Sequence, residues 1–230
     1  KKYMKNIFKY LYYLYYRPKI FFPKKTYSMY GEDIIVEQFF KNKKKGFYVD
    51  IGCYHPLEGS NTYLLFKKGW NGINADVNSL SIDLFNRARE KDHNVNLAVS
   101  NNKQKLKIYF RKKINMLNTS SKKLAKIHFR NGFQERLIHA SPLNEIIKKS
   151  KFNNRMIDFL NIDVEGKELD VLKSLNFSRY KPKLICIEIH NHEKMYDQNY
   201  DYLKRNLVYK FLIRKGYKVF WKNGFSFIFK

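Results

Sequence analysis

The chain has 230 residues, of which 44% are hydrophobic and 17% aromatic, so it can bury the core of one large α/β domain but is short for two domains. It carries 46 lysines and arginines against 20 aspartates and glutamates, a net charge of +26. No apolar run reaches the length of a transmembrane helix, which argues against a helical membrane-spanning protein.

The basic excess has two interpretations. Lysines are scattered along the chain rather than gathered in one arm, which favours a lysine-rich background over attraction to a polyanion such as nucleic acid, anionic lipid or acidic glycan. The two cysteines, Cys53 and Cys186, fall within predicted buried elements, so no disulfide framework or cysteine-based metal spacing is visible. We therefore expect a reduced, cytoplasmic compartment. Because the chain starts with Lys1, we interpret it as an excised domain.

Residues 1–25 form a basic, aromatic, amphipathic segment ahead of the domain, which we place at 26–230. Apolar residues recur at helical spacing over 1–22 with lysines between them, and Arg17-Pro18 ends the pattern. Two placements suit this helix: peripheral contact with an anionic membrane surface, or packing on the domain or on a partner domain. The apolar positions are Met4, Ile7, Phe8, Leu11, Leu14 and Tyr15, and the lysines are Lys1, Lys2, Lys5 and Lys9.

The rest of the chain alternates between predicted strands and helices. The predicted strands are 46–52, 72–76, 95–99, 105–110, 157–163, 184–189, 218–221 and 225–229. The predicted helices are 33–40, 61–68, one capped by Ser79 or Ser81 that runs to Ala88, one that Ser141-Pro142 begins, 168–175 and 201–215. Residues 111–135 are polar and irregular, which is typical of an insertion that faces the substrate.

This alternation implies a parallel sheet covered on both faces. Asn223-Gly224, between the last two strands, is the signal of a type I′ hairpin. A final antiparallel hairpin separates the class I methyltransferase architecture from an ordinary dinucleotide-binding fold. The sequence therefore predicts an α/β, Rossmann-like class I methyltransferase fold, with a mostly parallel seven-stranded sheet and a C-terminal antiparallel hairpin.

Acids and a glycine lie where the first two strands end, the position at which open α/β sheets bind ligands. Gly52 lets the backbone approach a ligand closely, and Asp50 suits a cationic amine or ribose hydroxyls. Asp76 can accept both hydroxyls of a ribose, unless it only begins the turn that follows. The turn at 52–59 lacks the second glycine that makes room for a pyrophosphate, which argues against a nicotinamide cofactor and favours a phosphate-free one such as S-adenosylmethionine.

Seven short motifs occur in an order that resembles the FkbM-type methyltransferases, over about residues 27–190. The resemblance implies an S-adenosylmethionine-dependent O-methyltransferase, and many members of that family act on hydroxyls of sugars or other natural products. The motifs are SMYGED (28–33), FYVDIG (47–52), HP (55–56), SNT (60–62), GWNG (69–72), NLAVS (96–100) and FLNIDVEGKEL (159–169). The resemblance implies that the cofactor contacts are Asp50, Gly52 and Asp76, with Asn96 and Ala98 near the adenine, and that Asp163, Glu165 and Gly166 form a second acidic motif.

Asp163, Glu165 and His190 are the candidate catalytic residues. Methyl transfer to a hydroxyl needs the acceptor oxygen to be positioned and relieved of its proton, by a base or by a metal. Alternatively, Asp163 binds the cofactor's amine and Glu165 caps the following helix. His190 is a candidate base, a member of a divalent-metal cluster with His192 and nearby carboxylates, or part of a solvated loop. The sequence leaves the metal question open.

Three classes of function compete. The leading hypothesis is an O-methyltransferase acting on a glycan, a glycolipid precursor or another small hydroxylated acceptor, which would belong to polysaccharide biosynthesis. The net charge suggests an RNA methyltransferase, but Asp163 is not followed by the Pro-Pro-Tyr/Phe turn usual in enzymes that methylate base amino groups, so nucleic acid ranks lower. A non-catalytic module with a degenerate cofactor site is the third, and Asp50, Gly52 and Asp76 argue against it.

Overall fold

The computed structural model describes residues 2–15, 25–114, 116–190 and 200–230. Within these ranges the strands are β1 (Phe47–Ile51), β2 (Asn71–Asp76), β3 (His93–Asn96), β4 (Ala98–Val99), β5 (Gln104–Phe110), β6 (Gln134–Ser141), β7 (Phe159–Ile162), β8 (Leu184–Glu188), β9 (Val219–Asn223) and β10 (Ser226–Phe229). The helices are α1 (Lys2–Tyr15), α2 (Glu32–Phe39), α3 (Tyr63–Lys67), α4 (Ser79–Ala88), α5 (Lys122–His128), α6 (Leu143–Lys149), α7 (Glu168–Lys173), α8 (Phe177–Tyr180) and α9 (Leu207–Arg214), with a 3-10 helix at Tyr200–Arg205.

Seven strands form the main sheet, in the order β3-β2-β1-β7-β8-β10-β9. The first five strands in this order are parallel to one another, whereas β10 is antiparallel to both β8 and β9. This order confirms the predicted Rossmann-like α/β fold with a mostly parallel seven-stranded sheet and a C-terminal antiparallel hairpin. Because the carboxyl ends of β1, β2 and β7 are adjacent, the acids that end these strands meet at one edge.

Both faces of the main sheet are covered, and successive residues of β1 serve opposite faces because strand side chains alternate. Phe47, Val49 and Ile51 join the larger apolar cluster. Tyr48 belongs to the second cluster, where it packs with Trp70 and other apolar side chains. Every residue of β1 is buried, which explains why its sequence is apolar apart from Asp50.

A second sheet, in the order β4-β6-β5, lies beside the main one and corrects the prediction of a single strand at 95–99. The chain leaves the main sheet at Leu97, so β3 pairs with β2 while β4 pairs with β6. The alternation of Val95, Leu97 and Val99 continues through this change of sheet, so the hydrophobic pattern alone does not reveal it. The predicted irregular insertion is wrong in part, because it contains α5, capped by the Ser121 side chain, and the start of β6.

Three local predictions were wrong because short polar side chains decide where helices and turns begin. Asn78, not Ser79 or Ser81, caps α4 by accepting a hydrogen bond from the Leu80 N–H. The helix predicted at 201–215 divides at Asn206, whose side chain caps α9. The hairpin turn consists of Gly224 and Phe225, because Asn223 pairs with Ser226. Only Gly224 has a positive φ, +55°, as in a turn with glycine at its first central position.

The N-terminal helix α1 packs on the domain with one face. The Tyr10 ring lies under the Arg87 guanidinium, 3.8 Å from ring centroid to Cζ, and Leu14 is buried. The backbone oxygen of Tyr13 lies 3.1 Å from His55 Nε2. The opposite face is exposed at Phe8, Leu11, Tyr12 and Tyr15. The predicted end at Arg17-Pro18 lies outside the described residues, and the division of the chain at residue 25 stays a prediction.

In the described part of the chain, no helix combines the length and the apolar character needed to cross a membrane.

Candidate functional site

A partly open pocket lies at the carboxyl ends of β1, β2 and β7. Its floor comes from these strand ends, its side from the segment that leads into the second sheet, and its roof from β5 and the residues before α5. The lining residues include Ile51, Gly52, Ala75, Asp76 and Asp163 from the strand ends, Leu97, Ala98 and Val99 from the side, and Leu106, Ile108, Met116, Asn118 and Ser120 from the roof. A pocket at the carboxyl ends of parallel strands is where open α/β sheets bind their ligands.

Asp76 is held rigidly at the end of β2. Its Oδ2 accepts a hydrogen bond from the Tyr54 N–H at 2.9 Å, and its Oδ1 accepts one from the Asn78 N–H at 2.7 Å. Burial raises the pKa of Asp76 to about 6, although these two bonds favour the ionised form. Each carboxylate oxygen retains further acceptor capacity, so the group can still accept the two hydroxyls of a ribose.

Gly52 allows β1 to turn directly beside the end of β7. Its φ is +78°, and a Cβ built on it would lie only 1.7 Å from the backbone oxygen of Asp163. The Asp163 N–H donates to the Ile51 oxygen at 2.9 Å, so the two strand ends are tied together at this point. The sequence predicted a close approach at Gly52, and in the structure the approaching group is the backbone of β7.

The Asp163 side chain lines the pocket, and no described residue donates a hydrogen bond to its carboxylate. Burial raises the pKa of Asp163 well above its usual range, and the negative charges of Glu188, Glu165 and Glu168 raise it further. A carboxyl group in this state either keeps its proton or requires a cation beside it. Asp163 is therefore the side chain of the pocket best suited to a positively charged ligand.

Asp50 lies outside the pocket lining, on the Tyr48 face of the sheet. Its two carboxylate oxygens accept hydrogen bonds from Thr62 Oγ1 at 2.6 Å and Asn161 Nδ2 at 2.8 Å. Arg89 donates to the same Thr62 oxygen at 2.8 Å. The geometry thus gives Asp50 a positioning task, joining β1, β7 and the start of α3 beneath the pocket, instead of direct contact with a ligand there.

Of the two residues predicted near the adenine, Ala98 and Asn96, one lines the pocket and the other supports a strand end. Ala98 lines the pocket. The Asn96 side chain is exposed and donates to the backbone oxygen of Asp76 at 2.9 Å, so it supports the end of β2. Of the predicted cofactor-binding residues, Gly52, Asp76 and Ala98 are therefore brought together around the pocket.

Next to the pocket, Glu165, Glu188 and His190 form a cluster that we call the Glu-Glu-His group. One ligand atom from each residue lies within 4.8 Å of those of the other two. His190 Nε2 lies 2.8 Å from Glu188 Oε2, and His128 Nε2 lies 3.5 Å from Glu165 Oε2. The predicted partner His192 lies outside the described residues.

The electrostatics of this group bear on the prediction of a histidine base. Burial raises the pKa of Glu165 to about 7. Burial alone would lower the pKa of His190, but its hydrogen bond to Glu188 and the surrounding carboxylates raise it overall. A raised pKa leaves less of the imidazole unprotonated at a given pH, so a smaller fraction of His190 is free to accept a proton than in an ordinary histidine.

The backbone at Glu165 is held in a conformation that is costly for a residue with a side chain. Glu165 has a φ of +51° and Gly166 one of +98°. A left-handed residue other than glycine costs on the order of 1–3 kcal/mol. Thr119 Oγ1 donates a hydrogen bond to the backbone oxygen of Glu165 at 2.9 Å, which fixes this turn. Glu165 does not cap α7, because Lys167 occupies the N-cap position without a side-chain bond.

Sequence reasoning missed the contribution of the segment before α5. Ser120 Oγ is buried and, within the described residues, has no hydrogen-bond partner, although it lines the pocket. A buried hydroxyl without a partner is a costly feature that a ligand would relieve. The available signal was the polar composition of 111–135, which identifies the segment but not this residue.

Comparison with known proteins gives one match that covers most of the chain. The family model described as "Methyltransferase FkbM domain" matches residues 50–218. The match begins at the end of β1 and extends to the residue before β9, so it includes the pocket and the Glu-Glu-His group. No curated protein and no solved structure matches the chain.

Proposed function

The chain belongs to the FkbM methyltransferase family, and on that premise we propose that it is an S-adenosylmethionine-dependent O-methyltransferase for a sugar hydroxyl of a glycan or glycolipid precursor. The observation that carries the proposal is the pocket at the ends of β1, β2 and β7. It combines a fixed carboxylate at Asp76 with the carboxyl group of Asp163 and the hydroxyl of Ser120, neither of which has a hydrogen-bond partner among the described residues.

The polar groups of the pocket fit this cofactor. Asp76 would hold the ribose hydroxyls, and Asp163 would face the cationic part of the molecule. Ser120 would supply one further hydrogen bond, and the apolar walls at Ala98 and Ile108 suit the adenine ring. When bound, S-adenosylmethionine supplies an electrophilic methyl group on a sulfonium. The protein's own part is to bind and orient the two substrates, exclude water and accept the proton of the acceptor.

The charges around Asp163 support a neutral hydroxylated acceptor. Glu165, Glu168 and Glu188 all act on Asp163 electrostatically, so the edge of the sheet beyond the pocket is negative. A phosphodiester backbone would be repelled there, whereas a sugar hydroxyl can donate a hydrogen bond to a carboxylate. This supports a glycan-type acceptor over RNA despite the net charge of +26, and we place the reaction in polysaccharide biosynthesis in the cytoplasm.

The direct test is methyl transfer from isotopically labelled S-adenosylmethionine into two separate pools. The first contains lipid-linked sugars and free glycans, and the second contains bulk RNA. We expect label in the sugar pool and none above background in RNA. Label in RNA alone would contradict the acceptor but leave the methyltransferase assignment intact. If no S-adenosylmethionine binding is detected by calorimetry, the cofactor assignment is wrong.

Asp76→Ala should weaken S-adenosylmethionine binding at least about tenfold, because charge-assisted hydrogen bonds contribute about 1.5–3 kcal/mol. In the unsubstituted protein the affinity should also fall as the pH drops through about 6, the raised pKa of Asp76, since protonation removes one acceptor. Calorimetric titration measures both effects. The variant should lose the pH dependence in this range. Unchanged affinity in a folded Asp76→Ala protein would remove Asp76 from the site.

The exposed face of α1 leads us to propose an anionic membrane surface as a partner, which would hold the protein peripherally. Phe8, Leu11 and Tyr12 are exposed there, with the exposed Lys9 beside them. Positive charge next to an apolar face complements a layer of anionic headgroups, at about 1 kcal/mol per basic residue near the surface.

Co-sedimentation with vesicles tests this partner. Binding should require anionic lipid and weaken with added salt. The double variant Phe8→Ser, Leu11→Ser should partition at least about tenfold more weakly, because it removes two side chains able to enter the bilayer interface. Lys44→Ala, an exposed lysine far along the chain from α1, serves as the control. Equal absence of binding to neutral and anionic vesicles would show that α1 is packing surface only.

A further inference from the structure

The Glu-Glu-His group has the donor set of a metal site. Glu165 and Glu188 offer carboxylate oxygens and His190 an imidazole nitrogen, all within 4.8 Å of one another. Donor atoms bonded to one ion at about 2.0–2.2 Å lie at most about 4.4 Å apart. The observed spacing thus needs only small movements of flexible side chains. We propose that Glu165, Glu188 and His190 bind one divalent metal ion beside the cofactor pocket.

The surrounding charge favours a cation at this position. Besides the two glutamates of the group, Asp163 and Glu168 lie close enough to interact with them electrostatically. Among the described residues, the basic side chains that form ion pairs with these carboxylates are those of His190 and His128. No described lysine or arginine forms an ion pair with Glu165 or Glu188, so a divalent ion would balance this charge.

The backbone holds the group in place before any ion binds. Glu165 has a left-handed conformation, φ +51°, and Gly166 directly after it has a φ of +98°. Thr119 and Leu124, from the segment over the pocket, pack against the same turn, Thr119 through a hydrogen bond to the Glu165 oxygen and Leu124 against Gly166. Strained backbone at a residue other than glycine is typical of active sites and ligand positions.

The donor types indicate which ions fit. Two carboxylates with one imidazole suit Mn²⁺, which accepts carboxylate and imidazole donors, or the borderline ion Zn²⁺, better than Mg²⁺, which prefers oxygen donors. Three protein ligands leave coordination positions open, as in catalytic rather than structural sites. Resting on the proposed function, we assign the open positions to the acceptor hydroxyl. The ion would lower the pKa of that hydroxyl, and its proton would pass to Asp163, which borders both the ion and the pocket.

Manganese titration of the whole chain tests the site without relying on catalysis. The protein is dialysed against chelator, then titrated with Mn²⁺ while free Mn²⁺ is followed by electron paramagnetic resonance, with Zn²⁺ and Mg²⁺ in parallel. We expect one Mn²⁺ per chain. Glu188→Gln and His190→Gln should each bind at least about tenfold more weakly. Glu135→Gln, which removes an exposed glutamate paired with Lys107, should bind normally.

The outcomes separate this proposal from the proposed function. Thermal melting without metal checks that each variant folds, and S-adenosylmethionine affinity is measured in chelator, where only the pocket contributes. Mn²⁺ binding that is lost in both variants but kept in the control supports the site, even if no acceptor is methylated. No saturable Mn²⁺ binding, unchanged binding in both variants, or equal loss in all three would overturn it.

Discussion

Asp163→Asn should lower the turnover number of methyl transfer at least about a hundredfold, the lower end of what a general base contributes. The substitution keeps the size and polarity of the side chain but removes the one carboxylate that both lines the pocket and interacts with the Glu-Glu-His group. The protein should stay folded, because no described residue donates a hydrogen bond to the Asp163 carboxyl group that the change would break. Initial rates with labelled S-adenosylmethionine measure the effect.

The same variant distinguishes two roles for Asp163. If it accepts the proton, turnover falls and S-adenosylmethionine affinity changes little; if it holds the cofactor's amine, affinity falls as well. Glu145→Gln on α6, half-exposed and paired with Lys103, is the matched control for the loss of one negative charge and should leave turnover unchanged. Near-normal turnover in both Asp163→Asn and His190→Ala would place the chemistry away from this edge of the sheet.

Gly52→Ala should destabilise the protein by about 2–5 kcal/mol, the sum of a left-handed alanine and an overpacked contact. The added Cβ meets the backbone oxygen of Asp163, which belongs to a strand end and cannot rotate away as a side chain would. Urea unfolding measures the loss. Because the collision pushes β1 and β7 apart at the pocket floor, S-adenosylmethionine affinity should fall in the fraction that remains folded.

Gly132→Ala is the control that isolates the collision from the backbone conformation. Gly132 also has a positive φ, +93°, but a Cβ there would meet nothing within 4 Å. Its substitution should therefore cost only the conformational strain, about 1–2 kcal/mol. Equal losses of unfolding free energy in the two variants would mean that the ends of β1 and β7 can move apart without cost. That result would contradict the close contact between these strand ends at the pocket floor.

The fold was predictable from sequence where one pattern spans one element. The central strands are apolar runs bounded by glycines and acids, and burial on both faces produces that pattern directly. The errors lie where a pattern continues across a boundary. Leu97 continues the alternation of Val95 and Val99 although the chain changes sheets there. Asn206 interrupts an apolar periodicity that continues on both sides. A cap or a sheet change depends on partners that are distant in sequence.

The site was predictable to the level of the strand ends but not to the face of each strand. Asp76 is the last residue of β2 and reaches the pocket, whereas Asp50 precedes the last residue of β1 and projects toward Thr62. A shift of one position changes the face. Ser120 and His128 come from a segment brought over the pocket by tertiary packing, so no local pattern could have placed them.

The negative edge formed by Asp163, Glu165, Glu168 and Glu188 has a practical consequence in a chain of net charge +26. Cellular RNA that adheres to the basic exterior during purification would raise the absorbance at the nucleic-acid wavelength. Because carboxylates repel phosphates, we expect a salt wash to remove such RNA without altering the reaction rate. Such contamination would therefore say nothing about the acceptor. An acceptor carrying a phosphate should dock with the phosphate outward, presenting the hydroxyl farthest from it.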